Sequence, residues 1–227
     1  MALMLPGALT SQISGSIGGH THGRTKGGPS VRNKPYSPLK QTPLQKAQHQ
    51  KFGNLAAQYK SLTAAQRAGF KAGASTFANK NRFGVANTIS GQSLFNKLNA
   101  NLALIGGGVL TSMPVIVNPT PVPITGIDHA GGLPNIEVLF AGGITAGDTL
   151  VIFCTPLMSV GSQTYESKLR FMTTATNPAT SKNFTTQFFL TFGQTVGIGM
   201  AVWVRIYTIN QSCGVASTYS DMQWIIS

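Results

Sequence analysis

The sequence predicts an α+β protein with several domains: an extended basic N-terminal arm, a short α-helical segment and a C-terminal antiparallel β-sandwich. Two observations predict this fold class. Apolar residues recur at helical spacing in the first half and alternate at a period of two in the second half. Thirteen of the 17 Lys and Arg residues lie between Arg24 and Lys97, whereas the five acidic residues begin only at Asp128. The arm is predicted at residues 1–41 and the helical segment at 42–110. A proline-rich connector at 111–121 leads to the sandwich at 122–227.

The predicted arm is rich in Gly, Ser, Pro and basic residues, and no helical or strand period persists along it. Such a segment buries too little apolar surface to offset its chain entropy, so we expect it to become ordered only against neighbouring subunits. Ile13 and Ile17 are its candidate subunit contacts. Its basic residues are candidate contacts to a polyanion: Arg24, Lys26, Arg32, Lys34 and Lys40.

Three short helices are predicted next, from their start and stop signals. Thr42-Pro43-Leu44-Gln45 and Thr63-Ala64-Ala65-Gln66 are capping boxes, the first with proline at the first helical position. Ser90 is the expected cap of the third helix, and Gly106-Gly107-Gly108 is expected to end it.

Each of these helices carries apolar residues along one face, and such short helices are marginal in water on their own. The faces are therefore expected to pack on each other, on the next domain or on another subunit. The candidate subunit-interface residues on them are Phe52, Leu55, Tyr59, Leu94, Phe95, Leu98 and Leu102.

Beyond the connector, seven short segments have strand character: 122–127, 136–140, 149–154, 168–174, 186–192, 200–208 and 217–225. Short strands with turn-rich gaps are typical of a sandwich of the immunoglobulin or fibronectin type III kind. The missing Cys-Trp-Cys pattern favours the fibronectin-like form, and we expect 122–227 to fold alone. Cys154 and Cys213 are expected to be buried free thiols, with a disulfide across the sandwich as the alternative.

The chemistry-bearing residues do not form a pattern typical of an enzyme. Asp128-His129 is a lone acid beside a lone histidine, and His20-Thr21-His22 has no further metal ligand near it in sequence. No glycine-rich phosphate-binding motif occurs. We therefore expect no catalytic, cofactor-binding or metal-binding residues, no cofactor and no small-molecule substrate. No apolar run is long enough for a membrane span, so no membrane partner is expected.

A series of motifs in residues 14–110 resembles a family of phage structural proteins in order and spacing. The motifs are Ser14-Gly15-Ser16-Ile17-Gly18-Gly19, the Arg24–Arg32 stretch, Thr42-Pro43-Leu44-Gln45, Leu62-Thr63-Ala64-Ala65-Gln66-Arg67 and Ser90-Gly91-Gln92-Ser93-Leu94-Phe95. The resemblance implies a virion protein without known activity, associated with the capsid (as in decoration), neck or tail.

The expected partners of such a protein are further copies of the chain and other virion proteins, after assembly in the bacterial host cytoplasm. The charge distribution leaves a second reading open. In that reading the chain is a basic nucleic-acid-binding or genome-packaging protein of the particle, whose arm neutralises phosphates.

Overall fold

The computed structural model describes residues 2–3, 14–25, 28–34, 41–77, 79–80, 86–128, 135–176, 180–194 and 199–226. Ile13, Lys26, Lys40 and His129 lie outside these ranges. The described residues contain both α-helices and antiparallel sheets, as the sequence predicts. No helix in these ranges is both long and apolar enough to cross a membrane.

The N-terminal residues form a four-stranded antiparallel sheet in the order β1-β4-β3-β2. Its strands are β1 (Ala2–Leu3), β2 (Gly15–Ile17), β3 (His20–Thr25) and β4 (Gly28–Asn33). The sequence indicates only an extended basic arm here, and these strands were not among the predicted ones. Gly18, at φ 58°, lies in the turn between β2 and β3, so that neighbouring segments pair through their backbones. Backbone pairing needs no alternation of apolar side chains, which explains why the pattern did not reveal it.

The helical region begins with α1 (Pro43–Ser61) and α2 (Ala64–Gly73), followed by a 3-10 turn at Ala74–Phe77. Both predicted capping boxes are confirmed. The hydroxyl oxygens of Thr42 and Thr63 each accept a hydrogen bond from the backbone N–H three residues later, at 3.3 Å. Two short paired strands, β5 (Asn79–Lys80) and β6 (Ala86–Asn87), precede α3 (Gly91–Leu104).

Both predicted ends of α3 are confirmed. The Ser90 hydroxyl oxygen accepts a hydrogen bond from the Ser93 N–H at 3.1 Å. At the other end Gly106 adopts φ 75°, and the Gly107 N–H donates to the Leu102 carbonyl at 2.8 Å. A left-handed residue just after the last turn is the usual way to satisfy such a carbonyl, and glycine adopts that conformation without strain.

The chain divides into two compact units, and the division falls within α3, between Lys97 and Leu98. Unit 1 comprises Met1–Lys97 and Thr111–Met113, and unit 2 comprises Leu98–Leu110 and Pro114–Ser227. The second half of α3 therefore belongs with the strand-rich residues that follow it.

The described residues of unit 2 form two sheets. The strands are β7 (Ile124–Asp128), β8 (Glu137–Phe140), β9 (Asp148–Cys154), β10 (Met158–Ser159), β11 (Arg170–Thr176), β12 (Ser181–Asn183), β13 (Met200–Asn210) and β14 (Ser220–Ile225). A three-stranded sheet has the order β12-β8-β7. In the five-stranded sheet β13 pairs with β9, β10 and β14, and β11 pairs with β9. Six of the seven predicted strands are confirmed.

The strand predicted at 186–192 was wrong, because the chain forms helix α4 there (Thr185–Phe192). Phe184 and Phe188, four residues apart, are both buried and thus point to the same side of the helix. The Asn183 side-chain oxygen accepts a hydrogen bond from the Thr185 N–H at 3.0 Å, and Gly193 closes the helix at φ 63°. Four apolar residues within a short stretch fit a strand or a helix equally well, so periodicity could not decide between them.

The core of unit 2 lies among the two sheets and α4. It includes Val138 and Phe140 of β8, Ile152 of β9, Val204 of β13 and Phe188 of α4, all at most 2% exposed. Cys154 and Cys213 are buried and free, which confirms the first of the two sequence expectations. Burial raises the pKa of the Cys154 thiol well above its usual value.

The second half of α3 packs against the turn that follows β13. The Asn101 side-chain amide donates to the Gly214 carbonyl at 2.8 Å, and the Leu98 carbonyl and the Leu102 side chain lie against Gly214 itself. The Asn99 side-chain oxygen accepts from the Leu110 N–H at 2.7 Å, which holds the segment after α3. These contacts make residues 98–110 part of the structure of unit 2.

Candidate interaction surfaces

The basic candidates of the arm do not gather on one face of the N-terminal sheet. Arg24 pairs with Pro29 and Arg32 pairs with Thr21 in the β3–β4 ladder. Because successive residues of a strand alternate between faces, the Arg24 and Arg32 side chains belong to opposite faces. Both are exposed, as is Lys34, whose backbone N–H donates to the Gly19 carbonyl at 2.8 Å.

The candidate subunit-interface residues fall into two groups. Ile17 and Phe52 are 65% and 53% exposed, and Leu55 and Tyr59 are partly buried. The four candidates of α3 are at most 2% exposed: Leu94, Phe95, Leu98 and Leu102. A side chain buried by its own chain cannot meet a partner while that structure persists, so these four are core residues here.

The first half of α3 is buried against α1 and α2, as the contacts of Phe95 show. Its ring packs edge-on against Phe70 of α2, with ring centroids 5.2 Å apart, and against Tyr59 of α1 at 5.4 Å. Aromatic pairs at these distances and angles are stabilising beyond the area that they bury. The helices of unit 1 therefore meet each other through α3.

Helix α1 presents an unusually open surface. It is 19 residues long and described throughout, and no side chain of it is buried. It carries Lys46, Lys51 and Lys60 and no acidic residue. Phe52, Leu55 and Tyr59 lie along one side of it, so a cationic helix exposes part of an apolar stripe.

A cleft of about 520 Å³ opens beside α2 in unit 1. Arg67 and Lys71, one helical turn apart, contribute the cations of its lining, together with Tyr59 and the start of α3 at 90–92. Within the described ranges neither cation forms a salt bridge, and the first 127 residues contain no carboxylate. This pair was not among the predicted site residues, although the spacing of four residues on a predicted helix was a usable signal.

The outward side of the five-stranded sheet carries an ion pair. The Arg205 guanidinium donates to both oxygens of Asp221, at 2.7 and 2.8 Å, and the Tyr165 hydroxyl donates to the same carboxylate at 2.6 Å. Glu166 lies 3.4 Å from Arg205, with its side chain 71% exposed. The Arg205 guanidinium also stacks 4.0 Å from the centre of the Tyr219 ring.

The ionisation of these groups follows from their contacts. Burial by itself would raise the pKa of Asp221, but the hydrogen bonds from Arg205 and Tyr165 and the charge of Arg205 outweigh it and lower the pKa. The bond to Asp221 raises the pKa of Tyr165 and is the largest cause of the raised pKa of Arg205. Arg205 and Asp221 are thus held in their charged forms.

Aromatic rings flank this ion pair on both sides. Trp203 stacks flat on Tyr165, with ring centroids 4.0 Å apart and planes at 3°. On the other side the Phe153 ring stacks on Tyr207 at 5.9 Å and meets Phe171 edge-on at 5.8 Å. We call this surface the aromatic face; its members are Phe153, Tyr165, Phe171, Trp203, Arg205, Tyr207, Tyr219 and Asp221.

The histidine pair and the acid singled out in the sequence belong to different units, His20 and His22 to unit 1 and Asp128 to unit 2. Asp128 ends β7, and His20 and His22 lie two residues apart on β3, where the Nδ1 atom of His22 has no hydrogen-bond partner among the described residues. Within the described ranges no three His, Cys, Asp or Glu side chains come together as a metal site would need.

No protein-family model matches the chain, and a search of curated proteins found no significant match. The geometry and charge of the surfaces described above are therefore the basis for a function.

Proposed function

We propose that the chain is a structural component of a bacteriophage virion, associated with its capsid, neck or tail, that binds neighbouring subunits through its arm and α1. The motif series in residues 14–110 favours the virion assignment. The observation that carries subunit binding is the surface of α1, a 19-residue helix with no buried side chain and with Phe52 exposed. Helical stability in proteins comes mostly from packing of an apolar face, so such a helix gains stability from a partner that covers it. The proposal includes no catalytic step.

The same proposal extends to the domain structure. The two sheets of unit 2 contribute to one core, which favours a fibronectin-like β-sandwich at the C-terminal end. The chain would then consist of two parts: an arm with a helical domain, which binds neighbouring subunits, and a C-terminal β-sandwich.

The first test is quantitative mass spectrometry of purified particles. A structural protein is expected at a fixed ratio to the major capsid protein, and that ratio distinguishes a neck or tail location from a capsid-wide one. Absence of the chain from particles freed of unbound protein would contradict the proposal.

A substitution on α1 makes the test specific. Phe52→Asp should lower incorporation into particles at least tenfold, because an unpaired charge would be buried at the contact. Gln58→Asp, at an exposed position of the same helix, is the matched control for charge and should be incorporated normally. Equal incorporation of both variants would exclude α1 from the contact.

Nucleic-acid binding is the second candidate, favoured by the cationic cleft of Arg67 and Lys71. Binding to duplex DNA should weaken with salt, because each neutralised phosphate releases counterions. Replacing both cations with alanine should reduce the slope of log K against log salt by about two phosphate contacts. The control is the double alanine variant of Lys168 and Lys182 in unit 2, which should leave the slope unchanged.

A further inference from the structure

The aromatic face is built on a row of directly paired residues that crosses four strands. Phe171 of β11 pairs with Phe153 of β9, Phe153 pairs with Arg205 of β13, and Arg205 pairs with Asp221 of β14. Residues that pair directly across antiparallel strands point to the same side of the sheet. On β13 the neighbours Val204 and Ile206 are completely buried, so the row points away from the core.

The face combines exposed ring surface with a rigid support. Phe171 and Tyr219 are 40% and 60% exposed. Their neighbours are fixed by the Trp203–Tyr165 stack, by the two-pronged Arg205–Asp221 pair and by the Trp203 indole N–H, which donates to the Ser162 carbonyl at 3.2 Å. Rings held on strands by such contacts lose little freedom when a ligand binds, which favours affinity.

The face also has hydrogen-bonding capacity that the chain leaves unused. Gln223 pairs with Trp203 across β13 and β14, and its Nε2 atom is buried without a partner among the described residues. Glu166 offers a mostly exposed carboxylate beside the Tyr165 ring. Both groups can bond hydroxyls, the Glu166 oxygens as acceptors and the Gln223 amide as a donor once its covered Nε2 atom becomes accessible.

The charges of the face identify the class of ligand. Arg205 is paired with Asp221 and approached by Glu166, so the cation at the centre of the face is already neutralised. A polyanion would find no free cation in this cluster, and a cationic partner would meet a carboxylate already bonded to Arg205. What the face offers to a ligand is therefore flat, apolar ring surface bordered by groups that can bond hydroxyls.

We propose that the aromatic face binds a neutral oligosaccharide. The C–H faces of sugar rings are apolar and their edges carry hydroxyl groups, which matches rings bordered by Glu166 and Gln223. Trp203 and Tyr207 are four residues apart on β13, which separates the two groups of rings by about 13 Å along the strand. That separation suits a linear chain of several sugars lying along β13. The proposal is independent of the virion role.

The test uses the full chain and a panel of soluble neutral polysaccharides: laminarin, hydroxyethylcellulose, dextran, glycogen and galactomannan. Native gels cast with each polysaccharide measure retardation of the protein, and tryptophan fluorescence reports on Trp203 together with Trp224. We expect retardation by at least one member. Phe171→Ala and Tyr219→Ala should each weaken that binding at least tenfold.

Phe189→Ala is the matched control, because Phe189 is an exposed phenylalanine of the same unit on α4, outside the aromatic face. It should bind like the unsubstituted chain, and all three variants should keep their melting temperatures within a few degrees. Absence of retardation by every polysaccharide would overturn the proposal. So would loss of self-association in Phe171→Ala and Tyr219→Ala without sugar binding, since the face would then be a protein interface.

Discussion

Gly214, in the turn after β13, combines two features that favour glycine. Its backbone has a positive φ, and there is no room for a side chain. Its φ is 70°, and a Cβ atom there would meet the carbonyl oxygen of Leu98 in α3. Gly142 has a similar φ of 76° but open space around it. Substitution of Gly142 by alanine therefore measures the cost of the backbone conformation alone. The same substitution at Gly214 adds the cost of a steric clash.

We predict that Gly214→Ala lowers the free energy of unfolding of unit 2 more than Gly142→Ala does. The second substitution should cost about 1–2 kcal/mol for the left-handed backbone alone. The first should cost clearly more, because α3 must also shift. Urea unfolding of both variants measures the difference, and equal losses would show that the contact with α3 does not contribute to stability.

Leu98 has a different role from the one expected from the sequence. It was predicted to lie at a subunit interface, so that Leu98→Asp would disrupt assembly and spare the sandwich. Because Leu98 is completely buried and its carbonyl lies against Gly214, we now predict that Leu98→Asp destabilises unit 2 itself by several kcal/mol. Leu190→Asp on α4, where the leucine is 77% exposed, should change the unfolding free energy by no more than about 0.5 kcal/mol. Similar melting of both variants would contradict the burial of Leu98.

Asp221 makes the stability of the aromatic face depend on pH. Its pKa is lowered in the folded chain, so it binds protons less readily than in the unfolded chain, where a carboxyl of this type titrates near 3.9. The stabilisation from its pairing with Arg205 should therefore be complete above about pH 5 and decline as the pH falls below about 4. The measurement is the difference in unfolding free energy between the unsubstituted chain and Asp221→Asn across this range. A difference that stays constant down to pH 2 would exclude this linkage.

At the scale of elements, the sequence predicted best where the signal is local. Both capping boxes and the glycine end of α3 are contacts between residues at most five positions apart, and all were found where predicted. α4 was missed because its burial depends on the sheets that it covers, which no local pattern reports. The aromatic face was missed for a similar reason: the alternation along β13 predicts which residues face outward, but not that Phe171, Phe153 and Asp221 lie opposite them.

The two capping boxes offer a comparison between a packed helix and an open one. Thr63→Ala should lower the unfolding free energy of unit 1 by about 1 kcal/mol, because α2 holds the buried Phe70. Thr42→Ala removes the same hydrogen bond from α1, which has no buried residue. It should reduce the helical circular dichroism signal without moving the melting transition. A shift of the transition by both substitutions would show that α1 unfolds together with α2.

At the scale of the whole molecule, the predicted boundary at residue 122 can be compared directly with the one found inside α3. A fragment of residues 98–227 includes Leu98 and Leu102, both buried, and the hydrogen bond from Asn101 to Gly214. We predict that it is several kcal/mol more stable than the fragment 122–227, at about 1.5–3 kcal/mol for each buried leucine. Thermal and urea unfolding of the two fragments decide this. Equal stability would support the boundary predicted from the sequence.

The carboxylate-free first half also limits how the molecule responds to acidity. Its first 127 residues contain three histidines and no acidic side chain that low pH could neutralise. Acidification can therefore only add positive charge there. Release of this half from an anionic surface must depend on dissolved salt, competing anions or chemical masking of lysines. Mild acidification would not detach it.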